Sequence, residues 1–134
     1  MESLNIILDD LKDMQLSIGL FEINSDVNAP TFPLSHKINR LKDDEILNSD
    51  LIISIGGDGT MLQSAKLAHK LNIPITGINK GRLGFLTDIN PDHAGEVIKH
   101  IINDQYAEEN RLLIKATVNK DKQSQIIGYG LNDV

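Results

Sequence analysis

The sequence predicts an α/β protein, an open parallel α/β domain followed by the start of an all-β domain. Three observations carry this expectation. Two short apolar, β-branched runs, residues 50–55 and 73–78, flank a segment with helical periodicity, the order from which a parallel strand pair is built. Each run is followed by a glycine-containing connection, and beyond about residue 106 the helical periodicity gives way to two β-rich runs. The predicted boundary therefore lies within residues 104–111, dividing the chain into an α/β domain over 1–106 and an opening β-hairpin over 107–134.

Leu4, Ile7, Leu8 and Leu11 recur at i, i+3, i+4 and i+7 with Met14 continuing the stripe, which predicts an amphipathic helix over residues 3–14. Alternation of Leu16, Ile18 and Leu20 with Ser17 and Gly19 predicts a half-buried strand over 16–23. Residues 24–36 carry Asn, Asp and Ser with Pro30 and Pro33, a loop composition. The charged run Lys42-Asp43-Asp44-Glu45 before Ile46-Leu47 predicts a short exposed helix with a solvated face and no chemistry.

Residues 50–55 read as a strand buried on both faces. It runs into Gly56-Gly57-Asp58-Gly59-Thr60, after which Met61, Leu62, Ala65, Ala68 and Leu71 line one helix face, with Thr60 placed to cap its start. Residues 73–78 form the next strand, and the two glycines of 79–89 predict a sharply bent connection. Asn90 suits an N-cap and Pro91 the first helical position, and Ala94, Val97, Ile98 and Ile101 complete an amphipathic helix. Residues 111–119 and 123–134, joined across Asn119-Lys120-Asp121-Lys122, predict an antiparallel hairpin.

At 134 residues and 40% hydrophobic content the chain can bury a core without crosslinks. Its 13 basic and 19 acidic residues give a net charge of -6, which disfavours a sequence-independent grip on nucleic acid or an anionic membrane. Having no cysteine, it has no disulfide framework or thiolate nucleophile. No basic leader with an apolar run opens the chain and no stretch approaches the roughly 18 apolar residues of a membrane span, so a cytoplasmic location is expected. His36, His69, His93 and His100 share no metal-ligand spacing with carboxylates, and no protein metal site is predicted.

Six of the ten glycines lie between Gly56 and Gly84, at the ends of two consecutive strands, where an open α/β sheet places its ligand crevice. Glycines let a backbone pass close to a ligand, and the amides opening a helix present partial positive charge to phosphate oxygens. Gly56, Gly57, Gly59 and Thr60 are therefore candidate nucleotide-binding residues. Asp58 lies inside the turn, where a bare carboxylate would repel phosphate. It could accept the proton of a hydroxyl attacking a phosphoryl group, the leading assignment, or help hold a divalent metal on a triphosphate. An ordinary tight turn with Asp bonding its own backbone is the structural alternative. The third glycine of a dinucleotide-fold fingerprint is absent, and so is the Gly-Lys-Ser/Thr of a P-loop. Lys80 and Arg82 are secondary candidates for phosphate.

Gly56-Gly57-Asp58-Gly59-Thr60 resembles the signature shared by NAD kinases, diacylglycerol and sphingosine kinases and, more distantly, 6-phosphofructokinases. The second motif, running from Gly77 through Asn79, Gly81 and Gly84 to Thr87, resembles the NAD kinase version and not that of the lipid kinases. Gly130-Leu131-Asn132-Asp133-Val134 is similar to that family's Asn-Glu/Asp pair. The resemblance implies a kinase that phosphorylates the adenosine 2′-hydroxyl of NAD, with ATP or polyphosphate as donor. It implies Asp58 as catalytic proton acceptor, Gly59 beside NAD, and Asn132 with Asp133 positioning the dinucleotide. An Asn amide and a carboxylate suit a hydroxyl-rich ligand. The resemblance further implies Mg2+ or another divalent cation carried with ATP, and a homo-oligomer.

Relatives begin with a strand before the first helix and continue past the Asn-Asp pair into a longer β-rich domain. The expectation is thus of a chain shortened at both ends, with an inactive or purely nucleotide-binding remnant as the alternative to a kinase. Gln63 stands where some relatives carry a basic residue.

Overall fold

In the computed structural model of the chain, residues 2–23, 38–42, 44–80, 84, 86–87, 89–120 and 123–131 are described. The predicted loop over 24–36 lies outside them, as do Gly81, Arg82, Asn132 and Asp133.

The organising element is a parallel strand pair, β3 (Ile52–Gly56) with β4 (Ile75–Asn79), connected by helix α2 (Asp58–Leu71). The register pairs Ile53 with Thr76, Ser54 with Gly77 and Ile55 with Ile78. Side chains alternate across a strand, so Ser54 and Gly77 face one side while Ile55 and Ile78 face the other.

Helix α2 covers the first side. Its buried residues are Met61, Ser64, Ala65 and Ala68, an i, i+3, i+4, i+7 stripe of mostly small side chains that lets the helix lie close on the sheet. Ser64 donates to Ser54 across the interface at 2.9 Å, which satisfies two buried hydroxyls. The helix ends at Asn72, left-handed at φ 56°, whose N–H closes on the carbonyls of Ala68 and His69.

Helices α1 (Glu2–Leu11) and α3 (Ala94–Ile102) cover the other side. Ile7 and Leu11 join Ile78, Ala94 and Ile98 in one buried cluster, with Met14, Ile53, Ile55 and Ile89 packed against it. Full burial of an isoleucine side chain contributes about 1.5–3 kcal/mol, so Ile78 and Ile98 are principal anchors of helix to sheet. The two helices touch at Gly95, where an added Cβ would lie 2.6 Å from Asp10 Cγ.

The α/β class is thus as expected, and several boundaries differ. Helix α1 stops at Leu11 instead of residue 14, because Met14 N–H turns back to the Leu11 carbonyl at 3.0 Å. Met14 keeps its apolar contact through that turn. The strand expected over 16–23 is reduced to β1 (Gly19–Leu20), paired in parallel with β2 (Asn39–Arg40). Leu16 and Ile18 are exposed, so their alternation reports no buried face. The charged run is followed by a single 3-10 turn, Glu45–Asn48, from which Ile46 is buried.

Asn90 caps as expected, its side chain accepting from Asp92 N–H at 3.0 Å, but Pro91–His93 form a 3-10 turn before α3 begins. The terminal hairpin is present as β5 (Ile114–Lys120) and β6 (Gln123–Gly130), antiparallel with an irregularity between Ala116 and Thr117. Most of its residues are exposed, and Tyr129 meets His69 edge to face, with ring centroids 4.9 Å apart. Among the described residues no helix is long and apolar enough to cross a membrane.

Candidate active site

The carboxyl ends of β3 and β4 lie side by side, tied by Lys80 N–H to the Gly56 carbonyl at 3.1 Å. Immediately beyond, Gly57 is the N-cap of α2 in an extended conformation and its carbonyl accepts the Met61 N–H at 3.0 Å. The helix therefore begins at Asp58, and Thr60 is its third residue, not the cap expected from the sequence. The physical reason lies at Gly56, where an added Cβ would lie 2.7 Å from Thr60 Cβ. Gly56 is buried and Thr60 occupies the space above it.

The amides of Gly59 and Thr60 belong to the first helical turn, where α-helix geometry provides no acceptor within the helix. They lie at the positive end of the α2 dipole, and Asp58 at the first position complements that dipole. Gly57 and Gly59 are both exposed, and a Cβ on either would meet nothing within 4 Å. No described glycine has a positive φ. Neither backbone conformation nor packing among the described residues asks for glycine at these two positions. Their missing side chains leave a bare backbone facing outward at the strand ends.

Asp58 is half-buried, and its position is set by the second glycine segment. Its Oδ1 accepts the Leu86 N–H at 3.2 Å. Gly84 lies directly against the carboxyl group, with a built Cβ only 2.6 Å from Asp58 Cγ. The two motifs, 28 residues apart at this hydrogen bond, thus meet at one carboxylate. A carboxylate has about four lone-pair sites, so the Leu86 bond uses only part of its accepting capacity.

Beneath this contact lie two polar residues of the second motif to which the sequence assigned no role of their own. Asn79 ends β4, is 2% exposed and donates from its side-chain amide to the Thr87 carbonyl at 3.1 Å. Thr87 is fully buried, with Cγ2 2.8 Å from a Cβ built on Gly77, and its Oγ1 has no hydrogen-bond partner among the described residues. The available signal was an Asn at the end of an apolar strand, where a hydrophobic residue would otherwise be expected.

Of the remaining predicted residues, Lys80 is exposed beside Gly56. Arg82, Asn132 and Asp133 lie outside the described residues. Tyr129, near the end of β6, is seated at His69, roughly 16 Å along the helix axis from Asp58 by the rise of α2. Among the described residues no group of three or more His, Cys, Asp or Glu could hold a metal ion.

Comparison with known proteins bears on this geometry. The ATP-NAD kinase N-terminal domain family matches residues 22–106. The NAD kinase of Legionella pneumophila (strain Corby) is 46% identical over 85 residues, which are 63% of this chain and 29% of that protein. The NAD kinase of Pseudomonas entomophila (strain L48) is 45% identical over 85 residues, with the same 63% and 29% coverage. Among solved structures, yeast NADH kinase complexed with NADH superposes with a TM-score of 0.67 over 93% of this chain and 41% of that one. At 19% identity that likeness is one of fold. The matched segment thus spans less than a third of the curated relatives' length.

Proposed function

The chain belongs to the NAD kinase family, and from that premise we propose that it serves phosphoryl transfer to the adenosine 2′-hydroxyl of NAD, giving NADP. The observation that carries the proposal is the Asp58 carboxylate, fixed by Leu86 N–H at 3.2 Å beside the bare backbone of Gly57 and Gly59. In this reading the 2′-hydroxyl oxygen attacks the terminal phosphorus of ATP and its proton passes to Asp58. The new O–P bond forms as the bridging P–O bond breaks, and ADP leaves with that electron pair. Polyphosphate could replace ATP as donor by the same step.

Gly56, Gly57, Gly59 and Thr60 form the nucleotide-binding turn, whose helix amides favour phosphate oxygens. Asn132 and Asp133 are assigned to positioning the dinucleotide. Mg2+ or another divalent cation enters on the donor's phosphates and neutralises their charge. A division into residues 1–106 and 107–134, a homo-oligomeric assembly and a cytoplasmic location belong to the same reading.

The test is NADP formation from NAD and Mg-ATP by the chain and its Asp58→Asn variant. A positioned base contributes typically ~10²–10⁴-fold, and a loss of that size is expected on substitution. Turnover that survives Asp58→Asn would remove the assignment. A chain that binds NAD by calorimetry without forming NADP would instead carry a binding role, the second reading.

A further inference from the structure

Asn79 occupies a place where an apolar residue would bury more cheaply. A buried amide costs free energy unless it is hydrogen-bonded. Here the amide donates to the Thr87 carbonyl at 3.1 Å, while the Asn79 backbone N–H donates to the Ile89 carbonyl at 2.9 Å. The two bonds grip the chain on alternate residues and fix the end of the second glycine segment to the end of β4. Thr87 is also held from the opposite side, since only a glycine at position 77 leaves room for its Cγ2. The residue immediately before Thr87 is Leu86, whose N–H donates to Asp58.

We propose that Asn79 is a positioning residue for Asp58. Its side-chain amide holds the Thr87 carbonyl, two peptide units beyond the Leu86 N–H, and so anchors the segment from which that N–H is donated to the Asp58 carboxylate. The inference rests on the reading of Asp58 as the proton acceptor. Asn79 does not touch the reacting atoms. Its effect is on the rate of the chemical step and not on dinucleotide binding, because the exposed backbone at Gly57 and Gly59 lies on a different segment.

The experiment compares the chain with Asn79→Leu, which keeps the branched heavy-atom skeleton and removes the donor. In a 15N-labelled sample the Leu86 amide resonance is followed through acid titration, with Asp58→Asn as the control that abolishes carboxylate-dependent movement. The expected result is a Leu86 resonance that tracks Asp58 in the wild type and no longer does so in Asn79→Leu, with a dispersed spectrum retained. In NADP formation the variant is expected to lose ~10-fold or more in kcat, with KM for NAD within about twofold, as a misplaced group does. A Leu86 resonance that still tracks Asp58 in Asn79→Leu overturns the proposal. Should Asn79→Leu not give a dispersed spectrum, Asn79→Ser is judged by the same criterion. A wild-type chain that forms no NADP removes the proton-acceptor reading, whereas the Leu86 titration still decides whether Asn79 governs the Asp58 contact.

Discussion

Gly84→Ala is expected to impair catalysis with little loss of fold, because the methyl group would enter the space of the Asp58 carboxyl group. The built Cβ lies 2.6 Å from Cγ and 2.7 Å from Oδ2, whereas ordinary van der Waals contact begins at 3.4 Å. The carboxyl group and the Gly84 backbone must therefore separate by at least the difference between 2.6 and 3.4 Å, roughly 0.8 Å, and by more at Oδ1, the nearest atom. The Leu86 bond, already 3.2 Å long, cannot follow such a shift and keep its geometry. A misplacement of about 1 Å can cost ~10²-fold in rate, about 2.7 kcal/mol of barrier at 1.36 kcal/mol per tenfold. The assay is NADP formation at saturating NAD and Mg-ATP, alongside a thermal melt. Asp58→Asn supplies the floor of activity. If Gly84→Ala turns over within twofold of the wild type while Asp58→Asn is inactive, the carboxylate does not need the position seen here and the steric reasoning fails.

Two further outcomes concern buried hydroxyls. Ser54→Ala or Ser64→Ala alone strands its partner and should cost about 1–3 kcal/mol, whereas the double replacement should cost less than the two single losses combined, measured by urea denaturation; additive losses would show that the 2.9 Å contact is not energetically coupled. Thr87→Val keeps the Cγ2 contact with Gly77 and removes a buried hydroxyl with no partner among the described residues, so it should raise stability by about 1 kcal/mol; a lowered melting temperature would reveal a partner for Oγ1.

The central α/β unit was legible because its signals are local and mutually consistent. The run Ile52–Gly56 is short, apolar and followed at once by a helical stripe of Met61, Ala65 and Ala68, and both elements formed in that order. Asn90 and Pro91 marked a helix start within a few residues, since a cap acts through its own backbone neighbourhood. The strand expected over 16–23 was less legible, because alternation records the possibility of a buried face but pairing requires a partner. Among the described residues only Gly19 and Leu20 find one, in Asn39 and Arg40, and Leu16 and Ile18 remain exposed. The end of α1 was misplaced for a related reason. Met14 satisfies the apolar stripe after the helix has already turned at Leu11.

At the candidate site, the sequence named glycines but could not sort them. Gly56, Gly57, Gly59, Gly77 and Gly84 are equivalent letters, and the sequence groups them only by their place at the ends of two strands. The structure divides them by what a side chain would meet. At Gly56 it would meet Thr60, at Gly77 Thr87 and at Gly84 the Asp58 carboxylate, so these three glycines allow protein to approach protein. At Gly57 and Gly59 it would meet nothing within 4 Å, so packing among the described residues does not account for glycine there. This division depends on contacts between segments far apart in sequence, which no local spacing encodes. The same holds for Leu86, an apolar residue whose part at the site is played by its backbone N–H. A substitution series across the five glycines should therefore separate into two classes. Alanine at 56, 77 or 84 should act through the protein's own geometry, while alanine at 57 or 59 should leave stability nearly unchanged and weaken nucleotide binding. If all five behaved alike, the distinction between packing and ligand-facing glycines would not hold.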